Sequence, residues 1–391
     1  MIYKDFQGKK ISWLGYGAMR MPVTEPRGPI DWDKAADLID IAYNAGINYY
    51  DTAYFYHSGK SQVFLGETLS RYPRDTWYIA NKFPGNLLRR TPEGMHLSGF
   101  GDLQVKNINS IAEVFEQQLI DCGLDYFDFY MLHNVSEETY NVYTDTELGI
   151  VDYMLEQKKR GRIKHFGFSA HARPETLEKF LTHRNVFEFA QIQINYLDSS
   201  LQQAQEKYDI CIKHGIPVIA MEPVRGGKLA NPGDKAVELL KAHAPDATPV
   251  SWALRYLQKF PEMFNVLSGM STVDQLEENI RIFSVENPVT AAEQTVLDKV
   301  VGVMAEAVPC TGCNYCIDVC PVKLNIPKLL SLYNEYAFEP SWTVGGTLRA
   351  MKDEEKPDAC ISCGACNPLC PQHIDIPSAL GDFAERLKPK Q

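Results

Sequence analysis

The sequence predicts an α/β protein, a parallel (β/α)8 barrel of the TIM type followed by a small, mainly α-helical domain. Three observations carry that expectation. Eight short apolar runs alternate with amphipathic stretches from the N-terminus to about residue 285, and this pattern suits a barrel better than a doubly wound sheet. Polar residues gather where those runs end. Eight of the ten cysteines then crowd into two motifs between residues 310 and 370.

The expected strands, in order, are 11–19 (ISWLGYGAM), 47–53 (INYYDTA), 77–83 (WYIANKF), 126–133 (YFDFYMLH), 163–169 (IKHFGFS), 189–195 (FAQIQIN), 216–223 (IPVIAMEP) and 264–270 (FNVLSGM). Between them lie helical patterns such as 33–46, 111–123, 149–161, 201–215 and 272–283. The alternation breaks near Ser284–Thr290, and 291–308 reads as one more helix. The expected division is therefore a barrel over 1–285, a connecting helix in 286–309 and a cysteine-rich domain over 310–391. Apart from the cysteine motifs no internal repeat or low-complexity segment stands out.

Composition narrows the function classes. With 39 Lys and Arg against 50 Asp and Glu the net charge is −11, and the signs are interspersed. Such a surface predicts no nucleic-acid partner. The N-terminal stretch lacks the apolar core of a secretory signal, and no apolar run is long enough to span a membrane. A cytoplasmic location is expected. Ten cysteines in a chain of 391 residues then point to metal thiolates rather than to a disulfide framework.

Cys310, Cys313, Cys316 and Cys320 precede Pro321 in the spacing C-x2-C-x2-C-x3-C-P, and Cys360, Cys363, Cys366, Cys370 and Pro371 repeat it. In this spacing three close thiolates hold one [4Fe-4S] cluster and the fourth reaches the other. Two clusters with crossed ligand sets are expected: Cys310, Cys313, Cys316 and Cys370 for one, Cys360, Cys363, Cys366 and Cys320 for the other. Structural zinc is the competing reading, but it does not account for the doubled C-x2-C-x3-C-P tail. Cys122 and Cys211 lie on apolar helix faces and read as ordinary core residues.

At the strand ends stand Asp51, Lys82, His133, Ser169, Gln193 and Glu222. The loop after Asp51 adds Tyr54, Tyr56 and His57. A tyrosine beside a lysine at a barrel mouth can act as a general acid, because an ammonium lowers the phenol pKa toward the working range. Lys82 supplies that charge, Asp51 orients it, and His133 can donate a hydrogen bond to a carbonyl oxygen. Phe55, Phe83 and Asn134 are expected to line the pocket.

The segments GAMRMP, DTAYFY with SQVFLG, NKF, DYFDFYMLHN, GRIKHFGFS, QINY and LEEN together resemble the aldo-keto reductase family over residues 1 to about 285. The resemblance implies reversible hydride transfer between a nicotinamide and an aldehyde or ketone. It also assigns the catalytic tetrad as Asp51, Tyr56, Lys82 and His133, with Tyr56 as proton donor because the family's tyrosine stands five positions after the aspartate. For NADPH or NADH it implies contacts from Gly17, Ala18 and Met19, from Ser169 and Gln193, and from Met221, Glu222, Pro223 and Gly227, while Arg225 and Lys228, in the loop after the seventh strand where barrels commonly bind phosphate, are read as approaching the pyrophosphate or as a solvated loop. Gly269, Gln275, Glu278 and Asn279 complete that set. Several positions depart from the family pattern. Ala170 replaces an asparagine and Met221 a stacking aromatic, while Gly269 and Gln275 stand where NADPH-selective members carry a lysine and an arginine. The tail, with its helical insert, is similar to the helical two-cluster ferredoxin domains of multi-domain oxidoreductases, a ferredoxin-like fold with two iron-sulfur clusters.

These features predict an oxidoreductase that interconverts a small carbonyl and an alcohol, with the clusters passing electrons to or from a protein partner. Nicotinamide moves two electrons and a cubane one, so a flavin in the barrel would be one way to link them. Against this stand a conventional reductase with structural or redox-sensing clusters, and an electron-transfer protein on a repurposed barrel.

Overall fold

The computed structural model describes residues 1–91, 94–97, 110–305 and 308–388. They form two compact units, one of 1–195, 204–231 and 247–290, the other of 196–203, 232–246 and 291–391.

The first unit begins with an antiparallel hairpin of β1 (Tyr3–Phe6) and β2 (Lys9–Ser12). Next come β3 (Leu14–Gly17), β4 (Tyr49–Asp51) and β5 (Tyr78–Phe83), then a second small hairpin of β6 (Leu88–Thr91) and β7 (Gly94–Leu97). The remaining strands are β8 (Phe127–Val135), β9 (Ile163–Ala170), β10 (Ala190–Gln193), β11 (Val218–Met221) and β12 (Met263–Ser268). Eight of these, β3 to β5 and β8 to β12, close into a parallel barrel in chain order, with β12 pairing back on β3. Each expected run contributes one barrel strand. The first divides, however: 9–12 belongs to the hairpin and only 14–17 to the barrel.

The hairpin explains which end of the barrel is open. Phe6 sits among Phe129, Phe189 and Phe264 near the strand starts, its ring stacked 4.4 Å from that of Phe264. A dry aromatic plug of this kind stabilises the N-terminal end through burial and offset ring contacts. Polar groups are thereby left to the C-terminal end, where active sites of this architecture are built.

Outer helices follow the amphipathic pattern and start on side-chain caps. Asp31 accepts from the Lys34 N–H before helix Trp32–Asn44, and Ser110, Thr248 and Thr272 do the same for Ile111–Cys122, Pro249–Leu257 and Val273–Ile282. Such caps satisfy backbone donors that the first turn leaves open. Helix Lys60–Leu69 starts immediately after the Tyr56 loop, which turns through His57, Ser58 and Gly59, all at positive φ.

The second unit differs from the expected division, which gave all of 1–285 to the barrel. Segments 196–203 and 232–246 group with 291–391 instead. Helix Asp234–His243 packs along Ala291–Met304, and the Gln202 amide donates to the buried Glu335 carboxylate at 2.9 Å. Sequence periodicity shows that these segments are helical or polar but not what they pack on. Helices Ile326–Phe338, Trp342–Ala350 and Ile376–Leu387 enclose a separate core that includes Leu329, Leu332, Val344, Leu380 and Phe383.

The cysteine duplication extends further than the cysteines. Asn325 and Asp375 each cap a helix that begins Ile-Pro, and Gly312, Asn314 and Lys323 have positive φ at the positions matched by Ser362, Gly364 and His373. One loop-helix unit has been used twice. Among the described residues, no helix is long and apolar enough to cross a membrane.

Candidate functional site

Strand register brings the charged groups of the barrel mouth together. Asp51 ends β4 opposite Ala80, so Lys82, two residues further along β5, reaches it from the next strand. The Lys82 Nζ lies 2.5 Å from Asp51 Oδ1 and 2.8 Å from the Thr52 carbonyl, and both side chains are buried. Lys82 also lies over the Tyr56 ring, 4.9 Å from its centre. His133, near the end of β8, meets Tyr56 edge-to-face at 6.0 Å and is covered by Phe55, stacked at 4.8 Å and 3°. All four tetrad residues thus surround one point. Tyr54, the other candidate, is nearly buried, and the charge that bears on it is that of Asp121.

Burial sets the protonation states. It pushes Tyr56 well above the ordinary phenol value, Asp51 and Glu222 add to the rise, and Arg20 opposes it. The net shift runs opposite to the lowering expected from a neighbouring ammonium, because desolvation is the largest contribution. Burial also drives His133 well below the usual imidazole range, helped by Lys82 and His171. Within the ion pair, burial raises Asp51 and lowers Lys82, and their attraction works against both shifts. At neutral pH the pocket therefore holds a protonated phenol and a neutral imidazole.

Among the described residues, Asp51 Oδ2, His133 Nδ1 and Asn134 Oδ1 are buried polar atoms without a hydrogen-bond partner. Unpaired buried polar atoms are costly, and each is a group that a polar ligand could satisfy. They fit a carbonyl substrate and a nicotinamide carboxamide.

The expected cofactor contacts surround the same mouth. Gly17 and Ala18 close β3, with the Ala18 N–H donating to the Asp51 carbonyl at 2.9 Å, and Met19 is half exposed. Ser169 accepts from the Asn134 N–H at 2.9 Å, and Gln193 ends β10 as a buried side chain. Met221 ends β11, its sulfur accepting from the Gln191 amide at 3.6 Å. Beyond it Glu222, Pro223, Arg225 and Gly227 form a tight turn, with Glu222, Arg225 and Gly227 at positive φ. Arg20 extends from the β3 loop across this turn, 3.6 Å from Glu222, and a side chain at Gly226 or Gly269 would meet it.

Three further positions are occupied within the fold. The Asn279 amide donates to Ser268 at 2.9 Å inside the protein, and Glu278 accepts from the Thr248 hydroxyl at 2.5 Å. Gln275 accepts from the Ser271 N–H at 2.9 Å. These side chains shape the loop after β12.

Sequence reading missed the support behind Lys82. Asn81 donates to Gln62 at 3.0 Å, Gln118 donates to Asn81 at 2.8 Å and to the Lys82 carbonyl at 3.1 Å, and Tyr130 donates to Gln118 at 2.6 Å. This fully buried amide network fixes the end of β5. Gln62 and Gln118 on otherwise apolar helix faces were the available signal. His171 was missed too: burial, Lys207 and Lys82 push it down to about 3.

In the second unit the eight motif cysteines line two cavities of comparable size, about 320 and 330 Å³ of empty space. Cys310, Cys313, Cys316 and Cys370 ring the first, and Cys320, Cys360, Cys363 and Cys366 the second. Thiols around a walled space suit a cubane, which each ligand meets at a different corner. Among the described residues, no three metal-ligating side chains converge as a single ion requires.

Comparison with known proteins agrees with both halves. The model of the aldo/keto reductase family matches residues 13–301, and that of the 4Fe-4S dicluster domain matches 309–374. An uncharacterised oxidoreductase, YqkF of Bacillus subtilis, is 26% identical over 292 residues, 69% of this chain and 87% of that protein. The NADH-specific methylglyoxal reductase of Escherichia coli is 26% identical over 309 residues, 72% of this chain and 90% of the other. Among solved structures, the aldo-keto reductase AKR11C1 from Bacillus halodurans in its holo form superposes with a TM-score of 0.60 at 25% identity. It covers 77% of this chain and 96% of its own.

Proposed function

The chain belongs to the aldo/keto reductase family, and on that premise we propose that it reduces a small carbonyl compound with NADH, Tyr56 delivering the proton. We propose further that its C-terminal cysteines hold two [4Fe-4S] clusters that exchange single electrons with a partner protein. The observation that carries the first reading is the buried Asp51–Lys82 pair set under Tyr56, with His133 edge-to-face on the same ring.

When bound, the nicotinamide dinucleotide supplies the hydride. The chain's own residues do the rest. His133, held neutral, orients the carbonyl oxygen by hydrogen bonding, and Phe55 stacked on it keeps water away. Tyr56 retains its proton until the oxygen gains charge, then passes it on, and the Lys82 ammonium stabilises the phenolate left behind. Asp51 fixes Lys82 in place and keeps its charge.

The rim supports NADH over NADPH. Position 269 is glycine, Gln275 is tied to the Ser271 N–H, and Arg20 is paired with Glu222. The loop after β12 therefore lacks the lysine and arginine that would meet a 2'-phosphate. The NADH specificity of the Escherichia coli relative supports the same choice. In the tail, the cysteines would hold the clusters in the crossed sets that line each cavity, and the clusters when bound supply one-electron carriers.

Anaerobically purified protein is assayed with NADH, with NADPH, and with a panel of small aldehydes and ketones. The expected result is one alcohol formed per NADH consumed, with kcat/KM for NADPH about tenfold or more below that for NADH. Binding of NADH without oxidation of it by any carbonyl would sink the proposal.

A further inference from the structure

The two cysteine cavities are related by the duplication yet differ in what else lines them. Thr311, Asn314 and Gln372 are among the residues that line the cavity of Cys310, Cys313, Cys316 and Cys370. At the matching positions, fifty residues away in each case, stand Ile361, Gly364 and Val322. Apart from its cysteines, the second cavity is lined among the described residues only by apolar residues and glycine. Main-chain donors do not make this difference. The Gly312 N–H meets Cys310 in the first set, and the Leu324 N–H meets Cys320 at 3.4 Å in the second.

Solvent exposure runs the same way. The fourth ligand of the first set, Cys370, is half-buried, whereas its counterpart Cys320 is buried. Reduction adds one negative charge to a cluster. Polar neighbours and water stabilise that charge, whereas apolar walls do not.

Building on the two-cluster reading above, we propose that the clusters are inequivalent. The one held by Cys310, Cys313, Cys316 and Cys370 has the higher reduction potential, and Thr311 and Gln372 set much of the difference. A single electron given to the pair therefore rests on that cluster. In this transfer the cluster of the apolar cavity is oxidised from the 1+ to the 2+ core and the other is reduced from 2+ to 1+. One electron moves and no proton is required.

The test is a potentiometric titration of the full chain with dithionite, followed by electron paramagnetic resonance after iron and sulfide analysis. Two midpoints are expected, separated by a preference of about tenfold or more, which for one electron is about 59 mV. Thr311→Ile with Gln372→Val, which gives the first cavity the residues of the second, should lower the upper midpoint and leave the lower one in place. Ile361→Thr with Val322→Gln should raise the lower midpoint, and this arm decides if the first variant fails to retain its cluster. About eight iron per chain with a single shared midpoint, or substitutions in the apolar cavity that leave the lower midpoint unmoved, would overturn the inequivalence alone. About four iron per chain would overturn the two-cluster reading and the inequivalence with it.

Discussion

Tyr56 keeps its proton because the space around it is dry and two carboxylates, Asp51 and Glu222, bear on it. Carbonyl reduction should therefore be insensitive to pH through neutrality and decline only well above pH 10, because the folded phenol ionises above its ordinary value. Alcohol oxidation, which needs the phenolate, should rise over that same range. Initial rates in both directions across a pH series check this. His133 has the opposite consequence for stability. Its folded pKa lies well below 6.5, so the unfolded chain takes up a proton first as pH falls. Stability is full above about pH 6.5 and declines below it, by up to about 1.4 kcal/mol per pH unit. Melting curves should show that slope, and His133→Gln should reduce it, leaving the share that buried His171 contributes with the same sign. Breaking the buried pair by Asp51→Asn should cost about 3–5 kcal/mol, since Lys82 is left without its partner, read as a lowered barrel melting temperature. Asp51, Lys82 and His133 were legible in the sequence because each is a polar residue at the end of an apolar run. The protonation of Tyr56 was not, since a motif shows which charges are near but not how much water has been removed.

At the scale of elements, helix Lys60–Leu69 is held against helix Ile111–Cys122 by the absence of a side chain. A Cβ on Gly66 would lie 2.1 Å from the Cys122 carbonyl oxygen, a contact that only backbone movement can relieve. Gly66→Ala should destabilise the barrel by about 2 kcal/mol or more, measured by denaturant unfolding. It should also weaken the Gln62–Asn81–Gln118 network between those helices and β5. Strand order and the helical faces could be read from apolar periodicity, which depends on burial alone. Periodicity could not divide 11–19 between a hairpin and the barrel, because a continuous apolar run looks the same in both. Nor did the cysteine spacing reveal that the duplication includes the capped helices at Asn325 and Asp375. That signal is a cap residue and an Ile-Pro pair, which is faint beside four cysteines.

At the scale of the whole molecule, the chain forms two units with separate cores. The tail's core includes its own cysteines, so metal and fold are linked there. Removing iron with a chelator should lose tail helicity by circular dichroism while NADH binding to the barrel persists. The division of the chain was only partly legible, because 196–203 and 232–246 belong by sequence to the barrel and by packing to the other unit. On the reading proposed above, the barrel is a working carbonyl reductase and not a scaffold for the clusters. The most direct measurement compares NADH-dependent carbonyl reduction by the wild type and by Tyr56→Phe, both anaerobic and matched in iron content. A loss of turnover of about 10²-fold or more, with dithionite reduction of the clusters unchanged, is the predicted result. Turnover within about twofold of wild type would contradict the claim, since a phenyl ring has no proton to give.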